Sequence, residues 1–230
     1  MSKRLHRLAH HLKTGGIVRT LSRARLFHDA CERYGLVYFG TVEQTDEHEM
    51  VRGLTVSTRA VDRHYCVGSI EGYEIILLER TDQLYFPYKK PESYRWTILQ
   101  IDLERSRLPH VFLDAHHHQN VFYDAFSAKY PSLIRQDSHL FADHDPRFTR
   151  AFTAHCAIQD VPRVLAYLNP HVTATLGHHF SHYDFELQDD KLLVYSSQQV
   201  PTKAVIDNLM RAGIWLAREI EKIDHPTPMG

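Results

Sequence analysis

Cysteine is scarce in this sequence. Its 230 residues hold three, Cys31, Cys66 and Cys156. They are too few and too scattered for a disulfide framework, and no CxxC pair offers a thiolate metal site. That usage suits a reducing compartment, so a cytoplasmic location is expected. Long apolar runs are also missing: stretches such as Ile75–Leu78 fall far short of the ~20 residues of a membrane-spanning helix. No transmembrane segment is therefore expected. The N-terminal MSKRLHRLAHHLKTGG has basic residues but no apolar region behind them, so no secretory leader is expected either. Net charge is nearly absent, at −1 from 27 Lys and Arg against 28 Asp and Glu, and the whole chain is not a polycation built for nucleic acid. There is no GxxxxGK[ST], no GxGxxG after a strand, no GxSxG elbow, and no HExxH or HxxEH. Those gaps exclude the usual P-loop, the standard dinucleotide fingerprint and the common serine-hydrolase and zinc-protease signatures.

Two features stand out in what is present. Histidine is abundant, with 18 residues. Charge is also unevenly placed. Residues 1–28 contain Lys3, Arg4, Arg7, Lys13, Arg19, Arg23 and Arg25 and no acid, while the rest of the chain carries all 28 acidic residues. Such an arm either docks on its own acidic body or meets an anionic lipid or nucleic acid, where local polybasic segments supply affinity. Phe27 is its one Phe, Tyr or Trp, so it is poorly made for stacking on single-stranded bases.

Periodicity divides the chain into a basic helical arm, 1–35, and a single domain, 36–230, with possible sub-blocks 36–146 and 147–230. Leu5, Leu8 and Leu12 predict a short helix. Ile17, Leu21, Ala24, His28 and Cys31 share one face of a second, which Gly35 ends. Residues 36–39 read as a short strand and 41–63 as a long surface loop. The segments 64–70, 73–81 and 94–103 are rich in Tyr, Val, Ile and Trp and predict strands, with Glu71-Gly72 as a hairpin turn. A fourth strand is expected at 110–114 and a helix at 119–129. Residues 148–158 are read as a strand. Helices are expected to start near Pro162 and Pro170, and strands to follow around 183–187 and 192–195. Ile206, Leu209, Ile214 and Ile220 mark 202–222 as an amphipathic helix facing the core. Hairpin-like strands grouped with helices predict an α+β fold: a mostly antiparallel sheet with N-terminal helices and a long C-terminal amphipathic helix packed on it.

The runs LKTGGIVRTLSRARLF, YGLVYFG, EMVRGLTVS, HYCVGSIEGYE and RLPHVFLD resemble an uncharacterised family of cytosolic proteins from candidate-phylum (Saccharibacteria-like) bacteria. The resemblance covers nearly the whole chain. It implies a small-genome lineage and brings no catalytic residue with it.

Four patterns carry candidate chemistry. His116, His118, His178 and His182 are the candidate metal ligands, since zinc needs three or four converging N, S or O donors. Asp143-His144-Asp145 is a possible base or ion site, although a turn before Pro146 explains the same residues. Cys156 beside His155 suggests a thiolate pair, but neighbours on a strand point apart. The fourth pattern is aromatic and cationic: Tyr73, Arg80, Tyr88, Lys89, Arg95 and Trp96 are the residue types that recur at interfaces, and the same types also suit the face of a sheet. Two functions follow. The first is a non-enzymatic protein without a cofactor that binds a protein or peptide through this sheet face. Arg4, Arg7, Lys13 and Arg19 would then make accessory contact with anionic lipid or nucleic acid. The second is a hydrolase with histidine-ligated zinc.

Overall fold

The computed structural model describes residues 22–41, 60–84, 92–103, 107–115, 118, 120–197 and 200–224. The expected helix at 5–12, Arg4, Arg7, Lys13, Arg19, Tyr88, Lys89 and His116 lie outside the described residues. The chain enters through a helix, α1, over residues 22–34. Gly35 ends it at φ 69°, a left-handed conformation that costs glycine nothing, and the Leu36 amide turns back to donate to the Cys31 carbonyl.

Strands β1 (Val37–Gly40), β2 (Ala60–Ile70), β3 (Tyr73–Leu84), β4 (Glu92–Asp102) and β5 (Leu108–Asp114) follow, then helix α2 (Asn120–Lys129) and the short β6 (Ile134–Arg135). Next come α3 (Pro146–Ala151), β7 (Thr153–Cys156), α4 (Val161–Tyr167), α5 (Pro170–His179), β8 (Asp184–Asp189), β9 (Lys191–Ser197) and α6 (Lys203–Asp224). The strands form one antiparallel sheet in the order β1-β2-β3-β4-β9-β8-β5-β7-β6. The expected α+β architecture is therefore present. A single sheet joins the two sub-blocks, because β4 pairs with β9 while β5 pairs with β7 and β8. Glu71 and Gly72 both have positive φ, as a tight two-residue hairpin requires. Among the described residues no helix is long and apolar enough to cross a membrane.

The two faces of the sheet are covered differently. On the first, α6 packs against β4 and β9 and buries Ile206, Leu209, Ile214 and Ile220, each worth roughly 1.5–3 kcal/mol. Gly213 allows the close approach, since a Cβ there would lie 2.7 Å from Leu99 Cδ2. On the second face Trp96, Ile98, Phe112, Leu193 and Tyr195 pack beneath Phe122 and Phe126 of α2.

Two expectations are corrected. Residues 41–63 are not all loop, because β2 begins at Ala60 and pairs with Asp82. The segment 148–158 is not one strand. Asp145 accepts a hydrogen bond from the Arg147 amide and Pro146 sits in the first turn, so a helix starts there. Only after Phe152 turns extended does β7 join the edge of β5.

Candidate functional site

Strand alternation decides which side chains reach the α2 face. In β5, Val111 and Leu113 enter the core of the first face, so Phe112 and Asp114 point to the other. The β5–β8 register pairs Leu113 with Phe185, and one step further sets Asp114 beside Asp184. His155 of β7 lies opposite Phe112 and shares this face. His118, just beyond β5, stacks on Phe122 with ring centroids 4.0 Å apart.

These residues converge. The His118 side chain is fully buried, and its Nε2 lies 3.1 Å from Asp184 Oδ2 and 3.6 Å from Asp114 Oδ1. It is close enough for an ion pair but aligned for no hydrogen bond. The other ends of the three side chains are anchored. His118 Nδ1 hydrogen-bonds with the Tyr94 hydroxyl. Tyr123 donates to Asp114 Oδ2 at 2.6 Å, and the Ala115 amide donates to Asp184 Oδ1 at 2.9 Å. Burial lowers the His118 pKa, but Asp184 and Asp114 more than offset that, and the net direction is upward. Burial raises the Asp114 carboxyl, yet contacts with His155, Tyr123 and His118 hold it below the usual aspartate value. Tyr123 is driven well above the ordinary tyrosine range, by burial first and by Asp114 second. His155 Nε2 makes no hydrogen bond and sits 3.9 Å from Asp114 Oδ2.

A cleft of about 540 Å³ opens beside this cluster. Tyr130, Pro131, Leu133 and Ile134 give it an apolar wall, and Asp114, Tyr123 and His155 form its polar end. A neighbouring hollow of about 420 Å³, across Arg135 and Thr153, has none of those three groups in its lining.

The metal candidates taken from the sequence separate. His118 joins Asp114 and Asp184, whereas α5 ends at His179, so His178 and His182 do not share successive turns of one helix. His178 instead packs with Arg147 and lies 3.2 Å from Asp145, and His182 is exposed. Among the described residues no group of three donors includes either. The aromatic and cationic set is also redistributed. Tyr73 is buried and donates to Glu221, and Trp96 is buried and donates to Asp82 at 2.8 Å. Arg80 is buried in a two-pronged bond to Asp62 at 2.8 and 2.7 Å. Arg95 is exposed. Tyr73, Arg80 and Trp96 are thus internal partners and not an open contact surface, because a buried guanidinium needs a matched carboxylate.

Asp145 caps α3 while His144 bonds Thr173 at 2.8 Å, which is the turn reading of that motif. Cys156 faces the core opposite His155, and burial pushes its thiol up to about 11. A thiolate pair is thereby removed. Sequence reasoning missed Asp114, Asp184, Tyr94 and Tyr123 as partners of His118. The one local signal was an acid closing an apolar strand four residues before a histidine.

Fold and site together describe an antiparallel α+β protein with a buried Asp–His–Asp cluster at the polar end of a cleft. No family model matches the chain and no curated protein matches it. Among solved structures it is similar to the crystal structure of the mycobacterial trehalose monomycolate transport factor A, TtfA. The TM-score is 0.56 at 11% identity, over 90% of this chain and 98% of that one. At that identity the likeness is one of fold.

Proposed function

We propose that this is a binding protein that takes a small amphiphilic ligand in the cleft beside α2. The observation that supports it is the join of an apolar wall with a polar end whose His155 Nε2 has no hydrogen bond. Clefts of ~300–1,000 Å³ with a few placed polar groups are the usual form of small-molecule sites. An apolar body would lie along Tyr130, Pro131, Leu133 and Ile134, and a hydroxylated end would meet His155 and Asp114. The similar fold belongs to a protein named as a trehalose monomycolate transport factor. We place the protein in the cytoplasm on its cysteine usage.

A short-chain alkyl glycoside below its micelle concentration serves as the probe, followed by amide NMR. Shifts are expected on Ser127, Ile134, Arg135, Thr153 and His155. Ser127→Trp, which fills the cleft from an exposed position, should weaken binding by ~10-fold or more, since 1.4 kcal/mol of lost contact is tenfold. Shifts confined to another surface, or binding unchanged in that variant, would sink the proposal.

A further inference from the structure

Buried carboxylates are costly unless paired, and here two of them share one buried imidazole. Each of the three side chains is anchored through one of its polar atoms. Tyr94 engages His118 Nδ1, Tyr123 engages Asp114 Oδ2 and the Ala115 amide engages Asp184 Oδ1. The remaining atoms, His118 Nε2, Asp114 Oδ1 and Asp184 Oδ2, face one another, and one donor atom from each residue lies within 4.8 Å of the others. Supporting hydrogen bonds on the far atom of each donor are what metal ligands characteristically carry, because they fix the tautomer and the ring or carboxylate orientation.

We infer that Asp114, His118 and Asp184 form a site for a first-row divalent cation of the zinc or manganese class, at the inner end of the cleft. Donors bound at ~2.0–2.2 Å to a tetrahedral ion sit roughly 3.3–3.6 Å apart, and the two separations measured from His118 Nε2 bracket that range. The fully buried Nε2, without a hydrogen bond, is the observation that points to a ligand. In the tautomer whose Nδ1–H donates to Tyr94, the Nε2 lone pair faces two carboxylates, which repels; a cation between them makes all three contacts attractive. One nitrogen and two oxygens suit zinc or manganese, whereas calcium prefers six or more oxygens. Three protein donors leave a coordination position open. Asp114 also lines the cleft, so the site adjoins it.

The inference stands apart from the ligand proposal, since His118 and Asp184 do not line the cleft. The full chain is purified without a histidine tag, stripped with a chelator and titrated separately with Zn²⁺ and Mn²⁺ by calorimetry. Elemental analysis of unstripped protein runs in parallel. One of the two ions should bind at one per chain. Asp184→Asn, which keeps an oxygen for the Ala115 amide, and His118→Gln should abolish that binding. Tyr123→Phe, which loosens Asp114, should weaken it ~10–100-fold. His178→Gln should leave it unchanged, which separates this site from adventitious binding to surface histidines. Circular dichroism and urea unfolding show whether each variant stays folded. Absence of stoichiometric binding by the wild type overturns the inference, as does binding that survives both Asp184→Asn and His118→Gln. Long-range ¹⁵N–¹H spectra give a result that does not depend on any variant. His118 Nε2 should carry no proton in the loaded protein, and an Nε2–H signal that persists through both titrations means a buried ion pair in place of a metal centre.

Discussion

At the scale of single residues, His64 shows how a strand accommodates a misfit. It interrupts β2 with φ 60°, where the β2–β3 register shifts between Arg63 and Cys66. The bulge turns its ring between Phe27 and Tyr38, and Nδ1 bonds the Tyr38 hydroxyl at 2.8 Å. Burial lowers its pKa; Glu79, 3.9 Å away, opposes that, while Arg63 and Arg23 add to it. Its folded pKa is therefore below its unfolded one. As pH falls below about 6.5 the unfolded chain takes up a proton that the fold refuses, so this contribution to stability is present above that pH and lost beneath it. His64→Asn removes the titration, and Asn tolerates left-handed backbone. Urea unfolding at pH 7.5 and 5.5 should show a smaller loss of stability in His64→Asn than in the wild type. Equal losses would mean that the ring is not buried neutral.

Elements meet at two glycines, and the neighbours there differ in kind. A Cβ on Gly213 of α6 would press on Leu99 Cδ2 and Ile101 Cδ1, the ends of side chains that can turn aside. A Cβ on Gly177 of α5 would lie 2.6 Å from the Phe148 backbone nitrogen and 3.0 Å from the Arg147 carbonyl carbon. Relieving that contact means moving α3 itself. Both substitutions to alanine gain helix propensity, up to ~1 kcal/mol. Overpacking against backbone costs typically ~1–3 kcal/mol. Gly177→Ala should therefore be destabilising by about 1–2 kcal/mol, with Gly213→Ala clearly milder, in denaturant titrations of the two variants. The reverse order would show that α3 yields more readily than the α6–sheet contact.

Over the whole molecule, the charge asymmetry has been partly absorbed. Arg23 of the basic arm already pairs with Glu79 at 2.8 Å, so this much of the arm docks on the acidic body. We propose that Arg4, Arg7, Lys13 and Arg19 remain available to a polyanion. Binding to duplex DNA or to anionic vesicles should weaken steeply with salt, because released counterions supply the affinity. Replacing the four by Gln should lower the slope of log K against log salt on DNA by roughly 3 to 4, and Arg23→Gln should leave it nearly unchanged. The two probes separate a nucleic acid from a lipid partner. No retention on either at low salt removes the proposal.

Local chemistry made much of the fold legible. The period of α6, the Glu71-Gly72 turn, the prolines at Pro162 and Pro170 and the Tyr- and Val-rich strands specify their elements through neighbours a few residues away. The same reading failed at 148–158, where an aspartate cap before Pro146 outweighed an ambiguous apolar run. The candidate site was hardly legible, and for a different reason. His118 was visible as one histidine among many, but its partner Asp184 lies far along the chain and reaches it only because β8 pairs with β5 in one register. A slip of one residue in that pairing would turn Asp184 to the opposite face. Tyr73, Arg80 and Trp96, of types that also recur at interfaces, became internal partners in the folded sheet. Residue identity and short-range period determined the elements; only the pairing of distant strands decided which polar groups would be buried together, because burial is a property of both faces of the sheet at once.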